Sequence, residues 1–300
     1  MKKLAPLFIF LAGVLWGSMG IFVRVLNGKG LFSMEIVALR AIVTAIFMVV
    51  FLLLFHRDLL KIKWKDLWVF LGSGLGSILF FNFCYFRAIS LTSLSIAAIL
   101  LYTSPAIVMI LSFFLFREKF TGRKVLALVM TFLGCVLVTG VLGETDAVTG
   151  KGVLAGLGAG LGYALYSIFS RYAIDKGYHS LTITCYTFVI AAVGSLFLSN
   201  RGQIAEAALG SPAMFAFSLV FGLLCTVLPY LLYTVGLKYV ENSRASIIVS
   251  VEPVAATLIG FFLFRETISP MGIAGIILVL SAMVLCSVRK KEGTGGLVNK

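Results

Sequence analysis

The hexapeptide FFLFRE occurs twice in this chain, at residues 113–118 and again at 261–266, an offset of 148 residues in a sequence of 300. The match runs well beyond those six. At the same offset Tyr85 falls on Tyr233, Ala97 on Ala245 and Pro105 on Pro253. At an offset of 147, Gly13 falls on Gly160, Trp16 on Tyr163, and IFVR at 21–24 on IFSR at 168–171. The chain is therefore one unit written twice, which fixes the fold of the second half once the first is known.

What the unit is made of follows from composition. The chain is 60% hydrophobic and 12% charged, with a mean hydropathy of +1.08. A soluble chain carries about 25% charged residues. Apolar runs of about 18 residues or more, each able to cross a hydrocarbon core as a helix, recur throughout. We read ten spans, over 5–26, 33–55, 67–89, 93–116, 122–142, 152–174, 180–199, 212–237, 243–264 and 270–288. Turn and charge signals separate them: NGKG at 27–30, HRDLLKIKWKD at 56–66, GETDAVTGKG at 143–152 and NRGQ at 200–203. The faintest break is SLTS at 90–93. The apolar start, with Lys2 and Lys3 before it, reads as an uncleaved first span.

Five spans per unit is an odd number, so the second copy must enter the membrane from the opposite face. The expected architecture is all-α, with two inverted five-helix repeats at 1–148 and 149–288 and a basic tail at 289–300. Repeats of this kind serve alternating access, because exchanging the two halves' conformations exchanges inward-open for outward-open. Orientation follows from the lysines and arginines of short loops. With the N-terminus in the cytoplasm, 18 of the 25 lie inside and 6 outside, with Arg40 within a span. Both termini are thus expected in the cytoplasm of a multi-pass protein of the cell (plasma or inner) membrane.

The net charge of +13 does not point to nucleic acid, since it sits in the loops between spans. The five cysteines show no CxxC or other metal spacing and read as small buried hydrophobes. His56 and His179 lie at loop edges. There is no HExxH, nucleophile elbow or Walker motif, so neither an enzyme nor an ATP-driven pump is expected, and no ATPase subunit, metal or cofactor.

The second part of each unit carries a further pattern. YFRAISLTSLSIAAILLYTSPAIVMILSFFLFREKF at 85–120 has an early Tyr, an Ala pair, a mid-helix Pro and a Glu at the helix end; 233–268 repeats it. LWG at 15–17 and ALR at 38–40 fit the same pattern. Over nearly its whole length the chain resembles the EamA family of the drug/metabolite transporter superfamily. The resemblance implies ten helices around a central cavity. It also implies a secondary carrier of small metabolites, often an exporter of amino acids or related compounds; some relatives carry nucleosides, sugars or drugs.

Glu252 is the sharpest site candidate. It lies about nine residues into its span, and a carboxylate there usually faces a cavity or a partner. It could take up and release a proton. Its matched position in the first half is Ser104, so such coupling would be asymmetric. Pro105 and Pro253 break their helices in matching places, the best sequence pointer to a transport site. Arg40 could hold a substrate carboxylate through two hydrogen bonds, or pair with Glu35 or Glu252. Trp16, Tyr85, Tyr102, Tyr163, Tyr166, Tyr230 and Tyr233 would line an amphipathic pocket, with Asn82, Ser104 and Ser250 as polar members. The GxxxG pairs starting at Gly13, Gly72, Gly156 and Gly158 read as helix-packing surfaces. Glu118 and Glu266 read as helix ends, with a gate or ion pair as the alternative. The expected function is secondary active transport of a small organic substrate, proton-coupled or not. The alternatives are an uncoupled facilitator or exchanger of nucleosides, sugars or drugs, and a non-transporting sensor on the same fold.

Overall fold

The computed structural model describes residues 2–141 and 149–287. The tail at 289–300 and most of the 143–152 break lie outside the described residues. Among those described there are helices and turns and no strands. Among the described residues nine helical segments are long and apolar enough to cross a membrane: Ala5–Asn27, Ser33–Phe55, Trp64–Leu91, Leu94–Phe116, Gly122–Thr139, Gly150–Asp175, Pro212–Leu237, Asn242–Phe264 and Pro270–Ser287. With the shorter apolar helix Ser180–Ser195, we number them spans 1 to 10 in chain order. They form two inverted five-helix repeats.

Span 7 is shorter than the expected 180–199. After Ser195 the chain tightens into i→i+3 bonds, Phe197 N–H to Gly194 O and Leu198 N–H to Ser195 O. The Ser195 and Ser199 hydroxyls bond back to carbonyls of the same turns, at Ala192 and Ser195. Beyond it lies a helix the sequence reading did not contain, Arg201–Leu209. The Asn200 side chain caps it, accepting from Gly202 N and Gln203 N. The faint break between spans 3 and 4 is real: the Ser93 hydroxyl accepts from Ile96 N at 3.2 Å and starts a new helix.

Spans 4 and 9 are each two helices, Leu94–Leu101 with Ser104–Phe116, and Asn242–Val249 with Glu252–Phe264. Pro105 and Pro253 sit second in the latter pieces. Proline has no N–H to give to the carbonyl four residues back, here that of Leu101 and of Val249. Each break is then met by a glycine from the other half. A Cβ on Gly13 would lie 2.7 Å from Val249 O. One on its repeat counterpart Gly160 would lie 2.7 Å from Thr103 Oγ1 and 3.0 Å from Leu100 O. Each half's first helix thus seats against the other half's broken one. Spans 3 and 8 each carry a π-helical stretch, Gly72–Leu79 and Leu223–Val227, at overlapping repeat positions; such widened turns recur at functional sites.

All five cysteines are buried and unbridged, as small core residues. On the face that carries the N-terminus, which we call the basic face, Asp66 is buried and accepts from Lys176 at 2.6 Å and from the Tyr178 hydroxyl at 2.8 Å. This ties the start of span 3 to the loop after span 6. Asp66→Asn keeps the shape but removes the charge of these charge-assisted bonds, and should lower the thermal unfolding midpoint in detergent.

Candidate functional site

The centre of the bundle is an aromatic box. Spans 1, 6 and 8 supply Trp16, Tyr163, Tyr166, Tyr230 and Tyr233, and span 3 supplies Ser77, Ile78 and Phe81; Ser167 completes the lining. The spacing explains the convergence. Tyr163, Tyr166 and Ser167 lie at i, i+3 and i+4, one face of a helix, and Tyr230 and Tyr233 at i and i+3. The Trp16 ring is 4.9 Å from Tyr230, 5.6 Å from Tyr233 and 6.3 Å from Tyr163. Tyr166 meets Tyr230 edge to face at 4.8 Å. The Ser167 and Tyr233 hydroxyls hydrogen-bond each other. The void between these groups is about 20 Å³. That is room for one water, far below the roughly 300–1,000 Å³ of a ligand site. Any molecule larger than a water would have to part these rings to enter. Among the described residues Trp16 Nε1 is buried there without a hydrogen-bond partner.

Two charges border the box. Arg40 on span 2 is 3% exposed. Its contacts are long and neutral: Asn82 Oδ1 at 3.4 Å and Met19 Sδ at 3.6 Å. Asn82 in turn donates to the carbonyl of Ile78, a lining residue, at 2.7 Å. Glu252 is the first residue of its helix, where the free N–H groups favour a negative charge. It accepts from the hydroxyl of Tyr163, another lining residue, at 3.0 Å. Neither of the pairings weighed for Arg40 forms. Glu35 instead accepts from the Asn200 backbone at 3.2 Å, and no ion pair joins Arg40 to Glu252 among the described residues.

Of the residues read from sequence, Trp16, Tyr163, Tyr166, Tyr230 and Tyr233 therefore meet at the box, with Asn82 and Glu252 one contact behind it and Arg40 two. Tyr85 packs against Phe81 with tilted rings 5.8 Å apart, one layer away. Tyr102 packs with Cys135, Val251 and Val254 in a separate cluster. Ser104 is buried outside the lining, and Ser250 donates to Ser246 O on its own helix. Pro105 and Pro253 lie at the helix breaks described above. Ser77, Ile78 and Ser167 were not picked out. Ser167 had a signal, its helical register with Tyr163. Ser77 and Ile78 had none, because the π-helical stretch that aims them leaves no mark in the residue pattern.

The sequence model of the EamA-like transporter family matches this chain twice, over residues 3–140 and 150–288. The chain belongs to the EamA-like transporter family. Proteins similar to it include an uncharacterized transporter, YxxF, of Bacillus subtilis (strain 168), 28% identical over 97% of this chain and 91% of that one. An uncharacterized transporter of Archaeoglobus fulgidus is 29% identical over 68% of this chain and 73% of its own length. One solved crystal structure superposes with a TM-score of 0.75 at 16% identity, covering 94% of this chain and 95% of that one, which speaks to the fold. This EamA-like protein is a multi-pass membrane transporter.

Proposed function

We propose that this transporter is a secondary active carrier of small zwitterionic metabolites, amino acids or close relatives, working by alternating access as a proton-coupled exporter. In this reading it lies in the cell's plasma or inner membrane with both termini in the cytoplasm. The observation that carries the substrate class is the pair Arg40 and Glu252. Among the described residues each is a buried or half-buried charge that hydrogen-bonds only neutral groups; Glu252 meets the lining residue Tyr163 directly, and Arg40 reaches the lining through Asn82, which bonds the carbonyl of Ile78. A buried charge is costly until it is paired. A substrate carboxylate would satisfy the Arg40 guanidinium bidentately, and a substrate ammonium would satisfy Glu252, with the faces of Tyr and Trp as further cation contacts.

Coupling follows from the same carboxylate. A proton and an ammonium group cannot both neutralise Glu252, so proton arrival displaces the substrate. A gradient that drives protons inward then drives the metabolite outward. Trp16, Tyr163, Tyr166 and Tyr233 would hold the substrate body, with Asn82 orienting Arg40. Tyr85, Tyr102, Ser104 and Ser250 join only if the arrangement changes during the cycle, with bending at Pro105 and Pro253.

The test is flux in proteoliposomes with radiolabelled amino acids, nucleosides, sugars and cationic drugs, with and without a pH gradient. For the wild type we expect saturable flux of an amino acid, accelerated by the gradient. Glu252→Gln should still exchange substrate but ignore the gradient. Gradient-insensitive flux in the wild type would make the protein a facilitator. Transport of nucleosides or sugars in preference to zwitterions would reject the substrate class.

A further inference from the structure

The duplicated FFLFRE segments end their helices in the same unusual way. Arg117 and Arg265 adopt the left-handed conformation, with φ of 54° and 57°. The following N–H groups, of Glu118 and Glu266, turn back to Ser112 O and Gly260 O. Each glutamate is thereby presented at the end of its span by the same rigid turn. What the two carboxylates then do differs.

Glu118 bridges the halves. Its Oε1 accepts from Asn242 N at 2.7 Å, and its Oε2 from Ser243 N at 3.1 Å and Ser243 Oγ at 2.5 Å. It caps the first helix of span 9, which belongs to the other repeat. Asn242 and Ser243 are both 0% exposed beneath it. At the 148-residue offset, the matching targets for Glu266 are the N–H groups of Leu94 and Ser95. No hydrogen bond joins Glu266 to either among the described residues. Instead it pairs with Arg24 at 2.5 Å and folds back onto Gly260. Leu94 is 63% exposed, and Ser95 is partly so. Arg24 itself has a counterpart, Arg171, which in this arrangement is free of Glu118 and holds Leu237 O and Asp175.

Resting on the alternating-access reading above, we propose that Glu118 and Glu266 are reciprocal latches, positioning residues that close one face of the carrier at a time. The structure holds Glu118 latched and Glu266 parked. In the converse arrangement Glu266 caps Leu94 and Ser95, and Glu118 parks on Arg171. The latch on the basic face carries an extra holder. Lys124, 4% exposed, lies 3.8 Å from Glu118 and 3.0 Å from Glu241. Its counterpart across the repeat is Gly272, which has no side chain to offer.

The test uses single added cysteines at matching positions, Ser246→Cys behind the Glu118 latch and Ala98→Cys behind the Glu266 site. The native cysteines are buried and give the background. A membrane-impermeant maleimide is applied from each side to the full chain in membranes. The parent should label Ala98→Cys from the face opposite the basic one and protect Ser246→Cys. Adding Glu118→Ala should raise labelling of Ser246→Cys from the basic face about tenfold, the scale of losing hydrogen bonds to a charged group, and lower labelling of Ala98→Cys. Lys124→Met and Ser243→Ala should shift both reporters the same way by about threefold, and Ser243→Ala serves if Glu118→Ala does not reach the membrane. Glu266→Ala should raise labelling of Ala98→Cys and leave Ser246→Cys more protected. Variants that open both faces together, or neither, overturn the latch. Substrate flux is measured on the same membranes: reciprocal labelling without flux of any substrate keeps the latch and rejects the carrier reading.

Discussion

Arg40→Met should lower uptake of a carboxylate-bearing substrate by about 100-fold or more while leaving the protein at least as heat-stable as the parent. The two outcomes together separate a substrate contact from a structural ion pair. Truncating one partner of a desolvated charge pair costs about 2–5 kcal/mol, and about 1.4 kcal/mol is tenfold. If that partner were a protein carboxylate, stability would fall as well. Here Arg40 is buried against the neutral Asn82 and Met19 at 3.4 and 3.6 Å. Replacing an under-paired buried charge with an apolar side chain of similar length removes a desolvation cost. Arg40→Lys should recover only part of the flux, because an ammonium cannot make the two parallel bonds of a guanidinium. The measurements are initial uptake rates at subsaturating substrate and the unfolding midpoint in the same detergent. Flux that persists in Arg40→Met would remove the carboxylate from the proposed substrate, and a large fall in the midpoint would make Arg40 structural.

Gly17→Leu should largely deplete the folded chain from the membrane, while Gly20→Leu, three residues along the same span, should be neutral. A Cβ on Gly17 would lie 2.6 Å from Glu252 O and 2.7 Å from the Ala255 side chain. The first of these is backbone at the start of the helix that carries Glu252, so it cannot swing aside. Overpacking typically costs about 1–3 kcal/mol, and more where the obstacle is backbone. Gly20 has nothing within 4 Å of its Cβ position. Fluorescence-detected size exclusion on the two variants checks this. Similar monodisperse peaks for both would mean that span 1 does not seat against span 9 as described.

Much of this protein is legible in its sequence because the membrane removes alternatives. An apolar run must be a helix there, as unsatisfied backbone groups have no water to turn to. The duplicated Pro105 and Pro253 mark the helix breaks for the same reason that they cause them. The aromatic box was partly legible, since Tyr163, Tyr166 and Tyr233 are amphipathic groups at mid-span. The surroundings of Arg40 were not. Whether it meets Glu35, Glu252 or Asn82 depends on how helices distant in sequence cross, and the residue pattern holds no distances. The Arg201–Leu209 helix was missed because its cap, Asn200, also reads as a turn residue. Two of the partners of Glu118 were out of reach as well: they are the backbone N–H groups of Asn242 and Ser243 on the far repeat, which every residue but proline possesses.

On the alternating-access reading proposed above, the duplication sets a zero of energy for the transport cycle. Two identical halves would make the exchanged arrangements mirror states of equal free energy, with an equilibrium constant of one. Every position where the halves differ is then a weight on one pan of that balance: Glu252 against Ser104, Asn242 against Leu94, Arg40 against its own partner-position in span 7. About 1.4 kcal/mol of summed difference suffices for a tenfold resting preference. Sequence drift between the repeats is in this chain a thermodynamic variable, and swapping a single residue for its counterpart is the most direct way to read its sign.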